Sequence, residues 1–167
     1  MKALFFLWFF LIVVMGQAFA LDLKSTEFVG LYKTYKELGL PRVIKAIASG
    51  MRKNGEVQID EYSTLKGIAT TNDSLILRFV IDAKRLQRDI SEMDVIGKRS
   101  VNPISASDVK NAVEKRMSLN LPTIRRSICS QKDWRAALEL GMKHVTVVQL
   151  ESGELVATYT IQSKDCL

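Results

Sequence analysis

The spacing of apolar residues after position 24 predicts two short helices. Ser25 can cap the first helix, and Gly39 ends it. Pro41 suits the first turn of a second helix that ends at Gly50. The apolar residues at helical spacing are Phe28, Leu31, Tyr32, Tyr35, Leu38, Val43, Ile44 and Ile47. Such stripes usually form core, and a ligand groove is the alternative.

A strand-like pattern follows a turn at 52–55. A strand over Thr64 to Thr70, a turn at 71–73 and the buried segment SLILRFVID predict a hairpin. Residues 84–100 are charged and irregular, which predicts a short helical piece and then a loop.

A third helix is predicted after Pro103. Ser105 and Asp108 resemble a capping box in which Asp replaces the usual Glu. Pro122 is expected to break or kink this helix before it reaches Cys129.

The last third of the chain predicts a short helix and a second hairpin. Ser130 is expected to cap the helix, and Gly141 to close it. KHVTVVQL, the turn ESGE and LVATYTI then form the hairpin. The order α-α-β-β-α-α-β-β places the chain in the α+β class. We expect a mainly antiparallel sheet of two hairpins with helices on one face, in a single domain over 21–167.

The first twenty residues are typical of a secretory signal peptide. Lys2 precedes an apolar run of about thirteen residues, shorter than the roughly twenty of a membrane span. The small residues Ala18 and Ala20 predict cleavage between Ala20 and Leu21. No cysteine follows the apolar run, so no lipid attachment is expected. These features predict an exported protein, periplasmic or secreted, without stable membrane insertion after cleavage.

The formal net charge of the 167-residue chain is +6. Lysines and arginines occur along the whole chain, which favours an ordinary solvated surface. Attraction to an acidic protein or a polyanionic envelope surface is the alternative. Nucleic acid is not an expected partner, because no basic motif with interleaved aromatic residues occurs.

Cys129 and Cys166 are the only cysteines. In an oxidising compartment they predict a structural disulfide, worth roughly 4 kcal/mol in the chain-entropy model. A redox pair would require close spacing, and a zinc site would require more ligands than the single histidine, His144, supplies.

Motifs for catalysis and cofactor binding are missing. Neither a nucleophile elbow nor a phosphate-binding loop occurs. Asp60 and Glu61 are adjacent, so in a strand they point to opposite faces. His144 is expected to lie on the surface. We therefore expect no enzymatic activity, no metal and no cofactor; a hydrolase using carboxylates alone remains a minor alternative.

The C-terminal half resembles small periplasmic bacterial proteins, including type II secretion pilotins of the GspS-beta kind. The similarity rests on SDVKNAVEKRMSLNLPTIRRSIC, KDWRAALELG, KHVTVVQL, ELVATYTI and the final DC. The segment DEYSTLKGIATTNDSLILRFVI is similar to their first hairpin, so the resemblance covers roughly 60–166. It implies a module that binds a short segment of a secretin subunit. Those pilotins carry a lipid on an N-terminal cysteine that this sequence lacks.

These observations predict a non-enzymatic, exported protein-binding or adaptor module whose partner is another envelope protein or peptide. The alternative is a periplasmic inhibitor or immunity protein directed at an envelope-acting enzyme or toxin. Partner contacts are assigned to Tyr32 and Tyr35 on the first helix and to Arg125 and Arg126. Binding in a groove between helix and sheet and strand addition at a sheet edge both remain open.

Overall fold

A computed structural model describes residues 23–88 and 105–166. Its main helices are α1 (Thr26–Leu38), α2 (Leu40–Arg52), α3 (Ala106–Ser130) and α4 (Lys132–Glu139). Residues 83–88 are also helical, and a 3-10 turn spans Ser163–Cys166. The predicted cleavage site at Ala20 and most of the irregular segment 84–100 lie outside the described residues.

Five strands form one sheet in the order β1-β2-β3-β4-β5. Their bounds are β1 (Val57–Gln58), β2 (Ser63–Thr70), β3 (Ser74–Ile81), β4 (Lys143–Leu150) and β5 (Leu155–Ile161). The predicted hairpins are β2–β3 and β4–β5, both antiparallel. They join through the parallel pair β3–β4, and β1 adds a short edge. The α+β class and the mostly antiparallel sheet are therefore confirmed.

The helices pack on one face of the sheet because apolar side chains alternate along the central strands. Leu75, Leu77, Phe79 and Ile81 of β3 are buried at every second position. A larger core cluster joins Leu75, Leu77 and Phe79 to α2, α4 and the end of α3, whereas Ile81 belongs to a second cluster. This second, smaller cluster packs Val109 and Val113 of α3 against β4 and β5.

The predicted disulfide joins Cys129 near the end of α3 to Cys166, with the Cα atoms 5.4 Å apart. The buried Arg135 of α4 reinforces this junction. Its Nη1 donates a hydrogen bond to the carbonyl oxygen of Cys166 at 3.1 Å, and its Nη2 lies 2.5 Å from Glu139 Oε1. The C-terminal turn is thus held by one covalent and one charged contact.

The helix ends differ from the predictions in two places. Helix α3 is continuous through Pro122, so the predicted break is wrong, whereas a kink there stays a prediction. The Pro122 ring faces solvent, and buried residues on either side hold the helix to the core. Ser130 does not cap α4: it is the last residue of α3, and its hydroxyl donates to Ser127. Gln131 precedes α4 without a side-chain cap. The capping box of Ser105 and Asp108 is present as predicted.

Candidate functional site

A groove of about 410 Å³ lies between α3 and the helix-facing side of the sheet. Its floor consists of side chains from three strands: Leu65, Leu77, Phe79, Ile81, His144, Thr146 and Val148. Protein interiors rarely leave apolar space much larger than a water molecule. The volume is in the range of known ligand pockets, so the groove is the candidate binding site.

One wall of the groove is a single face of α3. Met117, Asn120, Ile124 and Ser127 border it, at spacings of three or four residues, and Gln131 follows just past the end of the helix. At 1.5 Å per residue the helical part of this wall, from 117 to 127, is about 15 Å long. The continuity of α3 through Pro122 is what keeps the wall unbroken, because a helix ending at Pro122 would remove its second half.

The opposite wall comes from the end of α2 and from the segment leading into β2. Met51 and Asn54 lie at one side, followed by residues 57–60. The edge strand β1 is only two residues long, and both of its residues line the groove. Most lining side chains are aliphatic, methionine or aromatic, which suits an apolar segment of a partner.

His144 and Trp134 meet at one end of the groove. Their ring centroids are 5.1 Å apart at an angle of 71°. His144 is 3% exposed, so the expectation of a surface histidine was wrong. Burial lowers the pKa of His144 to about 4, which keeps the imidazole neutral near pH 7. Its Nδ1 is buried without a hydrogen-bond partner among residues 23–88 and 105–166.

Asp60 lies at the other end and is the one carboxylate among the described residues that line the groove. It accepts hydrogen bonds from the backbone amides of Tyr62 and Ser63 and from the Ser63 hydroxyl, at 2.8 to 3.1 Å. Burial raises the pKa of the Asp60 carboxyl, although these hydrogen bonds lower it. The carboxylate fixes the turn before β2, which is a structural role.

The aromatic residues predicted to contact a partner lie outside the groove. The Tyr35 hydroxyl donates to Asp133 Oδ1 at 2.8 Å, and burial followed by this hydrogen bond raises the pKa of Tyr35 to about 12. Tyr32 stacks on Phe28 with centroids 6.5 Å apart. It borders a separate shallow depression near the start of α1.

The predicted basic contacts also lie beside the groove rather than in it. Arg125 is half-buried on α3, with its Nε lacking a hydrogen-bond partner among the described residues. Arg126 is exposed. Their contact with a partner, like that of Tyr32 and Tyr35, stays a prediction.

In the described part of the chain, no three side chains of His, Cys, Asp or Glu come together as metal ligands would. Of the helices that the structure describes, none combines the length and the apolar character of a membrane span.

A groove between helix and sheet was one of the two binding modes left open by the sequence, but its lining residues were not predicted because they come from several elements distant in the sequence. The α3 face was visible in part as Met117 and Ile124, which continue the apolar spacing. The polar residues Asn120 and Ser127 interrupt the apolar spacing, so the remainder of this face could not be recognised. The floor depends on the pairing of β3 with β4, which was not predicted.

A sheet of this topology, covered by helices on one face and closed by a disulfide between α3 and the C-terminal turn, defines a pilotin-like fold. A Pseudomonas aeruginosa protein described as secreted aligns at a TM-score of 0.52 and 16% identity, over 77% of this chain and 93% of its own. The Vibrio vulnificus type 2 secretion system pilotin EpsS aligns at 0.51 and 11% identity, over 77% of this chain and 92% of its own.

The type II secretion pilotin AspS of Vibrio cholerae aligns at a TM-score of 0.45 and 14% identity, over 76% of this chain and 92% of its own. No protein-family model matches the sequence, and a search of curated proteins finds no match. The resemblance to pilotins is thus confirmed at the level of the fold.

Proposed function

We propose that this chain is a non-enzymatic, exported adaptor that binds an envelope protein, and that the groove between α3 and the sheet holds an apolar segment of that partner. The observation that carries the proposal is the apolar space of about 410 Å³ along one face of α3. The partner supplies the side chains that fill it.

The dimensions of the groove favour a short peptide segment over a compact small molecule. A helical wall of about 15 Å matches roughly ten residues of helix or four to five residues of strand. The apolar floor would take side chains from one face of an amphipathic segment, as in other helix-in-groove complexes. Because pilotins share the fold, a segment of a secretion-machine subunit is the first candidate. No observation favours the inhibitor alternative.

Neighbouring positions on α3 allow a matched test. Thr123 borders the groove, whereas Ser118 is exposed and lies about 140° away around the helix. A photo-crosslinking amino acid is placed at either position in the tagged protein, and the trapped proteins are identified by mass spectrometry after irradiation in cells. We expect an envelope-machine subunit to be trapped from position 123 and not from position 118.

The same two positions test whether partner binding requires an unfilled groove. Thr123→Arg places a long cation in the groove, and Ser118→Arg adds the same charge to the outer face of α3. We expect the first variant to lose the partner and the second to retain it. Trapping of a toxin or lytic enzyme would transfer the assignment to the inhibitor class. Equal trapping from both positions would overturn the groove as the binding site.

A further inference from the structure

The net charge of the chain is concentrated on the first two helices. Between residues 23 and 53 there are seven basic residues and two glutamates, so this segment carries +5 of the formal +6. The basic residues are Lys24, Lys33, Lys36, Arg42, Lys45, Arg52 and Lys53. Basic residues occur along the whole sequence, but acidic residues offset most of them outside this segment. The net positive charge is therefore concentrated on α1 and α2.

Most of these cations make no ion pair or hydrogen bond with the described part of the chain. Arg52 donates two hydrogen bonds to the carbonyl oxygen of Ile68. In contrast, five exposed cations have neither an ion-pair nor a hydrogen-bond partner within the described ranges 23–88 and 105–166. They are Lys33, Lys36, Arg42, Lys45 and Lys53.

The cations on α2 form one face of the helix. Arg42 and Lys45 are followed by Ser49 and Lys53, at spacings of three and four residues. This face is opposite the buried face formed by Val43, Ile44 and Ala48. Only small side chains, such as those of Ala46 and Ser49, lie between the cations, so a flat surface can approach them closely.

Exposed apolar side chains accompany this charge. Of the five large hydrophobic residues that are exposed in the described part of the chain, three belong to this segment: Leu23 at 40%, Val29 at 53% and Leu38 at 47%. Val29, Lys33 and Lys36 share one side of α1. Leu23 and Val29 also border the shallow depression with Phe28, Tyr32 and Glu139.

We propose that the α1–α2 hairpin docks on an anionic phospholipid surface. Cations next to exposed apolar side chains are the signature of binding at a membrane interface, where the cations meet lipid phosphates and the apolar groups enter the headgroup region. An acidic protein would use the cations but would leave Leu23 and Val29, which border the same depression, without an apolar partner. The inference does not depend on the groove, which lies on the other side of α2.

Vesicle sedimentation tests the proposal. The protein is expressed with its own N-terminal segment and purified as the cell processes it, and mass spectrometry confirms that all variants share one N-terminus. Vesicles contain either phosphatidylcholine alone or equal parts of phosphatidylcholine and phosphatidylglycerol. We expect binding to the anionic vesicles that weakens in molar salt and weaker binding to phosphatidylcholine.

Two triple variants with equal charge separate a defined surface from net charge. Arg42→Gln, Lys45→Gln and Lys53→Gln remove the α2 face, and Lys84→Gln, Lys115→Gln and Arg126→Gln remove three exposed cations elsewhere. At roughly fivefold per cation near the surface, we expect the first triple to lose on the order of 100-fold in affinity for anionic vesicles. The second triple should lose much less. Equal losses, or no binding of the wild type to anionic vesicles, would overturn the proposal.

Leu23→Ser with Val29→Ser distinguishes lipid from an acidic protein. We expect this double variant to reduce the binding that persists in molar salt, because that part depends on apolar contact. Soluble polyglutamate serves as the competing probe. If polyglutamate binds as tightly as the vesicles do and the double variant changes neither interaction, the surface belongs to an acidic protein and the lipid assignment is wrong.

Discussion

The indole of Trp134 and the imidazole of His144 meet at 71°, with ring centroids 5.1 Å apart, at one end of the groove. The contact joins α4 to β4 and excludes water from the imidazole. This is why the one histidine of the chain is neutral in the fold and contributes to packing rather than to proton transfer.

Acidification should therefore destabilise the protein through His144. Its pKa is about 4 in the folded chain, against an ordinary 6.5. Between these values the unfolded chain binds a proton that the folded chain does not, so stability falls as pH drops from 6.5 towards 4, by up to ~3 kcal/mol. His144→Phe keeps a ring beside Trp134 and should lose this component. Urea unfolding of both proteins across this pH range measures it; parallel curves would contradict the assignment.

Removal of the disulfide should lower the free energy of unfolding by about 2–4 kcal/mol. Cys129→Ser with Cys166→Ser is compared with the wild type in urea, with and without a thiol reductant. Reductant should shift the wild type towards the double variant and leave the variant unchanged. An unfolding midpoint that is the same in both oxidised proteins would show that Cys129 and Cys166 add nothing to stability.

Glu139→Gln should destabilise the fold by about 1–3 kcal/mol, because it leaves the buried Arg135 without its counter-ion. Glu139 is partly in contact with solvent, with 29% of its side chain exposed, which moderates the effect. The double variant Arg135→Met, Glu139→Leu should recover much of the loss, since no charge then remains buried. Thermal unfolding of the three proteins decides; a double variant less stable than Glu139→Gln would contradict this explanation.

Filling the groove should stabilise the free protein and abolish binding. Ser127→Phe places an aromatic ring in the apolar space beside Ile124, and cavity filling commonly adds about 0.5–2 kcal/mol. Ser118→Phe is the matched control on the outer face of α3, nine residues from Ser127 and so on the opposite side of the helix. We expect a higher melting temperature together with loss of partner crosslinking for Ser127→Phe alone. A stabilised variant that still captures the partner would place the binding site elsewhere.

Local signals in the sequence were sufficient for most of the elements. Ser25, Gly39 and the capping box of Ser105 act within a few residues, so the ends of α1 and the start of α3 could be predicted. The predicted break at Pro122 did not occur, because the packing of α3 on both sides of this residue outweighs the tendency of proline to end a helix. The identity of one residue does not show how strongly the rest of its helix is packed.

The features that depend on distant pairing could not be predicted. The parallel register places Leu75 opposite His144, residues that nothing in the local sequence connects. That pairing buries His144 and brings the floor of the groove under α3. The concentration of net positive charge on α1 and α2, in contrast, can be read from the sequence, because it lies within the contiguous residues 23–53.

The central β3–β4 pair also governs the order in which the chain can fold. Residues 74–81 find their neighbour only when residues 143–150 are available. A chain synthesised or exported from its N-terminus therefore carries β3, its most apolar strand, with an unpaired edge until nearly all of the protein has emerged. During this interval the first hairpin is exposed to aggregation. We infer that folding is effectively post-translational, and that chains interrupted before β4 are substrates for chaperones or proteases.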